Sequence, residues 1–548
     1  MPRSHDQPSI DNLPDEILGA VFFLNTDVRD DCHDTYKTAK ATMLVCKRWY
    51  NIVFDYPALW GRVINYRRDS PDKIRELLRR TKSSLIDVGA DSMVNNIRMR
   101  DSRGKTVLGH IFDHGSKIRT LNLQITFSPW SFICKRFLQN PAPNLEYLKL
   151  DTSCPFPDCL FPDPLFADQA PKLRKIHLQR CLINFSSSVM CHLTALTVMD
   201  ILAPSVIMMN RAPDHPLKVA PTVEGWLRIL ENIPSLQYLT LSNSITPQIT
   251  NIDPLLKIRL PNLLFLTVGA KFQEGTALLE RLSLPPCGIR LRLSHDRSNP
   301  GNEDTKLLYF LSSSLSLWPQ DTRGRYMQAK ILSGNRVHFG NSRRVGHVWD
   351  MTEAEVIEEH ALNSADPLLW LVLSFDNTED SLQFFDRLLT LYETTYATTT
   401  SLDLWIDEEF TNAATIHVNG LPVLPSLSIL RAFSSVKVLD LLERSPLTFL
   451  PLLEALSSDS ETPFFPALRS LRLTRTDVDY EPRAYAVIIG FIKWRKRLDV
   501  PLNDLDIVGG KICDSTSRSF EDAGNVKVIK SVLGAKWEDS ESLSDSDS

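Results

Sequence analysis

Nine cysteines and twelve histidines are spread over 548 residues, so clusters of thiols and imidazoles are the first place to look for chemistry. Cys154 and Cys159 flank a proline turn in SCPFPDCLFP, and Cys191 lies beside His192, but no C-x-x-C pair or paired-histidine spacing accompanies them. Idle or packed thiols fit that pattern better than a zinc site. Cys46, in LVCKRW, has the thiol that a thioester-forming nucleophile needs, yet it falls on the apolar face of an expected helix, where a thiol packs and stays inert. No Walker-type glycine loop, dinucleotide fingerprint, metalloprotease helix or serine-nucleophile elbow occurs. The basic run KWRKR, Lys493 to Arg497, has the charge to touch phosphates. It also closes a helix after AVIIGF, where cations complement the helix dipole, and that is the preferred reading. The expectation is a protein with no catalytic residues, no cofactor and no metal.

The composition sets further bounds. At 43% hydrophobic and 23% charged residues the chain reads as globular, and its length exceeds one ordinary domain. A formal charge of −5 gives no global field for polyanions, so no nucleic-acid partner is expected. No apolar run reaches the roughly 18 residues a membrane helix needs, and MPRSHDQPSIDN lacks a signal-peptide core. With an odd number of cysteines, this predicts a reduced cytoplasmic or nuclear protein away from membranes.

The elements come in two textures. Residues 9–61 read as a helical unit. Asp11 and Asn12 are capping candidates before Pro14, Asp15 and Glu16, and Ile17, Leu18, Val21 and Phe22 form an apolar face. A second helix is predicted where Ala41, Leu44, Val45, Trp49, Ile52 and Val53 recur at three- and four-residue intervals, before a turn at Pro57. A unit of about 50 residues buries only about 60% of its unfolded surface, so one this apolar predicts a partner to cover the remainder.

Beyond a connecting segment at 62–104, a phrase of the form L-x-x-L-x-L recurs. It occurs as KIRTLNL (117–123), PNLEYLKL (143–150), PKLRKIHL (171–178), HLTALTV (192–198), PSLQYLTL (234–241), PNLLFLTV (261–268), SVKVLDL (435–441), PALRSLRL (466–473) and PLNDLDI (501–507). Short strands recurring every 20 to 34 residues, with helical returns, are the signature of leucine-rich-repeat architecture. The fold class expected is therefore α/β: a helical N-terminal unit, then an irregular leucine-rich-repeat solenoid over 105–510 with short parallel strands. The pattern weakens between about 295 and 400, where RYMQAKILSGNRVHFGNSRRVGHVW suggests inserted strands. Residues 511–548 read as a C-terminal segment ending in an acidic tail, whose Ser540, Ser542, Ser544, Ser546 and Ser548 are candidate phosphorylation sites.

LPDEIL (13–18), LVCKRW (44–49) and PALW (57–60), in that order, resemble the F-box. The region after them, RELLRRTKSSLIDVGA and VLGHIFDHGSKIRTLNL, is similar to the large fungal family that joins an F-box to degenerate leucine-rich repeats. Leu13 and Val45 stand 32 residues apart, longer than in a minimal F-box, with the excess in the polar stretch around Asp27 to Thr38. The resemblance implies docking on a Skp-type adaptor and, through it, on the cullin of an SCF-type ubiquitin ligase. The residues expected at that interface are Leu13, Pro14, Ile17, Leu18, Val45, Cys46, Trp49, Leu59 and Trp60.

Strand alternation nominates a second surface, for an unidentified protein target. Tyr147, Lys149, Asp151, Lys175, His177, Gln179, Tyr238, Thr240, Ser242, Phe265, Thr267, Arg472 and Thr474 are expected as columns on the concave face. The reading is a non-enzymatic substrate receptor; the alternative is a scaffold that binds through the same F-box without delivering a target. A catalytic parallel β-solenoid such as a polysaccharide lyase is disfavoured, because the repeats leave room for helices and no carboxylates or basic residues stack at a fixed position.

Overall fold

The structure is a computed structural model. It describes residues 10–26, 35–67, 69–89, 102–125, 130–152, 164–181, 183–185, 187–201, 220–246, 256–294, 303–316, 326–332, 336–340, 369–375, 384, 387–388, 390, 399–406, 416–418, 421–423, 430, 433–457 and 463–531. The acidic tail and the Cys154–Cys159 turn lie outside them. The chain divides into two compact units, one formed by 1–263 with 281–283, the other by 264–280 with 284–548.

The first unit opens with four short helices, α1 (Asp15–Leu24), α2 (Thr35–Met43), α3 (Lys47–Phe54) and α4 (Pro57–Arg62). Pro14 precedes α1, with Asp15 and Glu16 in the first turn where the dipole favours them. The single helix expected around Trp49 is broken. Cys46 adopts an extended backbone, and its Sγ accepts from the Trp49 amide at 3.5 Å, capping α3. The thiol therefore ends a helix instead of lining its apolar face, and Leu44 and Val45 fall in the break.

Residues 62–104 carry β1 (Ile64–Asn65), α5 (Pro71–Arg80) and β2 (Ile86–Gly89), and α6 (Ser102–Phe112) leads to β3 (Ile118–Ile125). Ser70 caps α5 by accepting from Lys73 N at 3.2 Å, with Pro71 at the first helical position. The ladder continues through β4 (Tyr147–Thr152), β5 (Lys175–Gln179), β6 (Ala195–Met199) and β7 (Tyr238–Ser242), every neighbouring pair parallel.

Each phrase builds its strand in the same way. The amide of its first leucine closes a turn onto the carbonyl three residues earlier: Leu145 to Ala142, Leu173 to Ala170, Leu193 to Met190 and Leu236 to Ile233. The last two leucine-like residues then enter the core, so Leu148 and Leu150, Ile176 and Leu178, and Leu196 and Val198 are buried. The residue after β5, β6 and β7 (Arg180, Asp200 and Asn243) takes positive φ and turns the chain off the ladder. Arg180 N donates to Met199 O and Asp200 N to Ser242 O, so the turns after β5 and β6 are satisfied by the next strand.

The second unit repeats this arrangement around an insert. Phe265–Lys271, Gly288–Ser294 and Leu369–Ser374 pair in parallel. The expected inserted strands form an antiparallel hairpin, Tyr326–Leu332 with Arg336–Gly340, whose second strand runs antiparallel to Leu369–Ser374. Its first strand lies parallel to Ser401–Ile406, followed by Val438–Leu442, Ser470–Thr474, Asp504–Val508 and Lys527–Ser531. The ladder thus runs past residue 510. Helices Ser445–Ser457, Pro482–Arg497 and Asp514–Gly524 supply the returns. All nine L-x-x-L-x-L phrases are strands, in a mixed α/β chain dominated by parallel pairing. Among the described residues, no helix is long and apolar enough to cross a membrane.

Candidate docking surfaces

The four N-terminal helices enclose a small core and leave much apolar surface outside it. Leu18, Phe22, Val53, Leu59 and Trp60 are buried, the rings of Phe22 and Trp49 lie 4.7 Å apart, and Trp60 Nε1 donates to Phe54 O at 3.0 Å. Leu18, Leu59 and Trp60, expected at the adaptor interface, are therefore interior. Leu18 faces inward one position after the outward Ile17, and Pro57 starts α4 so that Leu59 and Trp60 close the core. Leu13, Pro14, Ile17, Val45 and Cys46 are exposed, and Trp49 is half-buried. Arg48 fastens the approach to α1, with Nη2 2.7 Å from Asp15 Oδ1 and 2.5 Å from the Leu13 carbonyl.

Part of this surface goes beyond the residues expected at it. Ile10, Val21, Leu24, Leu44, Tyr50 and Phe54 are also exposed, Leu44 the most, at 75%. Ile17, Val21 and Leu24 form an i, i+4, i+7 stripe beside that of Leu18 and Phe22, and this second periodicity marks it. Of the thirteen large hydrophobic residues exposed among the described ones, nine lie between Ile10 and Phe54. That concentration in a small module marks an interaction surface.

The module is fixed to the first strands. A Cβ at Gly61 would come within 2.3 Å of the Leu85 carbonyl, so only glycine permits this approach of α4 to β2. Arg62 reaches Asp87 on β2 at 3.6 Å, and Arg119 on β3 holds the same carboxylate through Nε at 3.0 Å.

On the outer face of the ladder the expected columns form, but their residues differ in availability. Cross-strand partners give three rows: Thr120, Tyr147, Lys175, Ala195 and Tyr238; then Asn122, Lys149, His177, Thr197 and Thr240; then Gln124, Asp151, Gln179, Met199 and Ser242. Lys175 is exposed, Tyr147, Lys149, Asp151, His177, Gln179 and Tyr238 are half-buried, and Thr240 and Ser242 are buried. The third row is tied together internally. Asp151 accepts from Gln124 at 3.0 Å and Arg180 at 2.9 Å, and Gln179 donates to Asp200 at 3.2 Å. Burial holds the His177 imidazole neutral, its pKa pushed down to about 3, with Lys149 adding to the effect.

In the second unit the expected surface is largely interior. Phe265 and Thr267 are buried; Phe265 occupies the space that a side chain at position 288 would need, its ring 2.4 Å from where a Gly288 Cβ would stand. Arg472 is buried in a cross-strand row between Asp440 and Asp506, which also includes Asp403. Its Nε donates to Asp506 at 3.1 Å, while half-buried Thr474 donates to Asp440 at 2.8 Å. These side chains bind one another, and Arg472, Asp440 and Asp506 are buried. Burial, then the nearby Asp403 carboxylate, raise the Asp440 pKa well above the usual range.

The KWRKR run also resolves differently along its length. Arg495 is fully buried and donates to the Phe464, Phe465 and Leu468 carbonyls at 3.0–3.1 Å, whereas Lys493, Lys496 and Arg497 are exposed. Cys191 and His192 are exposed, and no group of three or more potential metal ligands occurs among the described residues.

The family model for an F-box-like domain matches residues 10–65, the four helices and β1. No curated protein matches the chain.

Proposed function

We propose that this chain is the substrate-recognition subunit of a cullin-RING ubiquitin ligase of the SCF type. The single observation that carries this reading is the coincidence of the F-box-like match at 10–65 with the densest exposed apolar surface in the described chain. Leu13, Pro14, Ile17, Val45, Cys46 and Trp49, extended by Ile10 and Leu44, would be covered by a Skp-type adaptor and, through it, linked to cullin. Residues beyond the module would hold a protein target, and the repeated strand phrases support reading them as degenerate leucine-rich repeats of the fungal F-box type.

The mechanism is proximity. Holding target and conjugating enzyme in one complex raises the effective concentration of target lysines near the charged thioester, and this chain contributes no bond-making group. Such a protein would act in the cytoplasm or nucleus.

The test is co-expression of the full chain with a Skp-type adaptor and a cullin, followed by affinity capture, beside a variant with Ile17→Asp and Val45→Asp. Both positions are exposed, so circular dichroism should show an unchanged fold. Capture of adaptor and cullin, lost in the folded variant, supports the reading; adaptor without cullin favours a ligase-independent scaffold. Capture of neither overturns both.

A further inference from the structure

We propose that the outer face of β4 and β5 docks an extended acidic segment of the target, with Lys149 and Lys175 each taking one of two carboxylates at alternate positions. This deepens the receptor reading, and it relies on that reading only for the segment belonging to a target.

The register defines the site. Tyr147 and Lys149 on β4 stand opposite Lys175 and His177 on β5. Strands about 4.8 Å apart, with about 6.8 Å between alternate residues, make these four side chains the corners of a rectangle. The two lysines occupy one diagonal, about 8 Å long, and Tyr147 and His177 the other.

The charge on this face is unbalanced. Among its fifteen residues on β3 to β7, the charged ones are Lys149, Asp151 and Lys175. Asp151 is already held by Arg180 and Gln124. Neither lysine has a hydrogen-bond or ion-pair partner among the described residues. Between them, His177 Nε2 is buried without a hydrogen-bond partner. Buried and neutral, this nitrogen contacts nothing outside the chain, so the two ammonium groups carry the recognition.

The same geometry selects the anion. A compact phosphoryl group is best matched by the planar fork of an arginine. The arginines next to this face are already engaged, Arg180 with Asp151, Arg119 with Asp87 and Arg174 with the Pro171 and Leu173 carbonyls. Two ammonium groups about 8 Å apart instead match two separate carboxylates, which alternate positions of an extended segment present about 7 Å apart on one side.

The experiment is fluorescence anisotropy with the purified full chain and labelled nine-residue peptides carrying Glu-x-Glu, Gln-x-Gln, Lys-x-Lys or a single phosphoserine at the centre. The Glu-x-Glu peptide is expected to bind in a salt-sensitive way, with Gln-x-Gln at least tenfold weaker. Lys149→Glu with Lys175→Glu should lower Glu-x-Glu affinity at least tenfold and confer binding of Lys-x-Lys, while Lys172→Glu, on the turn before β5, should change neither. Glu-x-Glu binding that is absent or indifferent to the double variant overturns the proposal, as does binding of the phosphoserine peptide alone. Adaptor capture measured on the same preparations separates the two readings: capture without peptide binding overturns this site alone.

Discussion

Arg62 and Phe23 are joined twice: the guanidinium carbon lies 3.5 Å from the ring centroid, and Nη1 donates to the Phe23 carbonyl at 3.0 Å. Since Arg62 also reaches Asp87 on β2, one side chain links α1 to the strand ladder. Arg62→Met is expected to cost about 1–3 kcal/mol, from the lost charged hydrogen bond and cation–π contact. Hydrogen exchange should show faster exchange at the end of α1 and in α4, with β5 to β7 unchanged. Equal protection in both proteins would show that the link is not load-carrying.

Neighbouring residues Ile17 and Leu18 should respond oppositely to the same change. Leu18→Ala removes a fully buried side chain and is expected to destabilise by about 2–5 kcal/mol. Ile17→Ala, at 50% exposure, should stay within about 0.5 kcal/mol while weakening adaptor capture. Urea denaturation followed by tryptophan fluorescence measures the first, and quantitative co-purification the second.

Arg495 binds three carbonyls from the turn that launches Ser470–Thr474. Arg495→Met keeps the aliphatic stem but leaves the Phe464 and Leu468 carbonyls unpaired, at about 1–3 kcal/mol each, while Phe465 O keeps its bond from Leu468 N. A fall of at least about 2 kcal/mol in unfolding free energy is expected. Arg497→Met, on the exposed side of the same helix, is the control and should leave stability unchanged.

Asp440 should make the fold less stable as pH rises. Its folded pKa lies above the ordinary 3.8, so above that pH the native chain retains a proton that the unfolded chain has lost. Asp440→Asn keeps an acceptor for Thr474 and removes the charge. The variant should match the parent near pH 4 and exceed it in urea midpoint at pH 7 to 8; a parent that is the more stable protein at pH 8 would refute this assignment.

His177 has the opposite slope. Its pKa falls from 6.5 to about 3 on folding, so between these values the unfolded chain takes up a proton that the native chain refuses. Stability from this group is intact above pH 6.5 and falls by up to about 1.4 kcal/mol per pH unit below it. His177→Gln should flatten the urea midpoint between pH 6.5 and 5, where the parent declines.

Much of the architecture was written locally. Residues such as Leu148 and Leu150 alternate with polar neighbours at period two, which suits a half-buried strand wherever the chain places it, and phrases such as PNLEYLKL and PKLRKIHL carry their own turn. The order LPDEIL, LVCKRW, PALW likewise marked the N-terminal helices, because caps and short-range periodicity act within a few residues. The break at Leu44 to Cys46 was not legible, since the apolar spacing continues through it and the cap depends on the path the backbone takes.

A helical module followed by repeated strands, each with candidate docking residues, was written in the order of the amino acids. Tertiary structure decided which of those residues are available. Leu18 and Ile17 are equally apolar, and Arg472 and Lys175 are equally cationic on alternating strands; packing buried Leu18 and Arg472 and left Ile17 and Lys175 at the surface. The physical reason is that periodicity specifies a face of an element, whereas burial and charge pairing depend on what other elements bring to that face. For Arg472 those elements supplied Asp440 and Asp506, from 32 residues before it and 34 after.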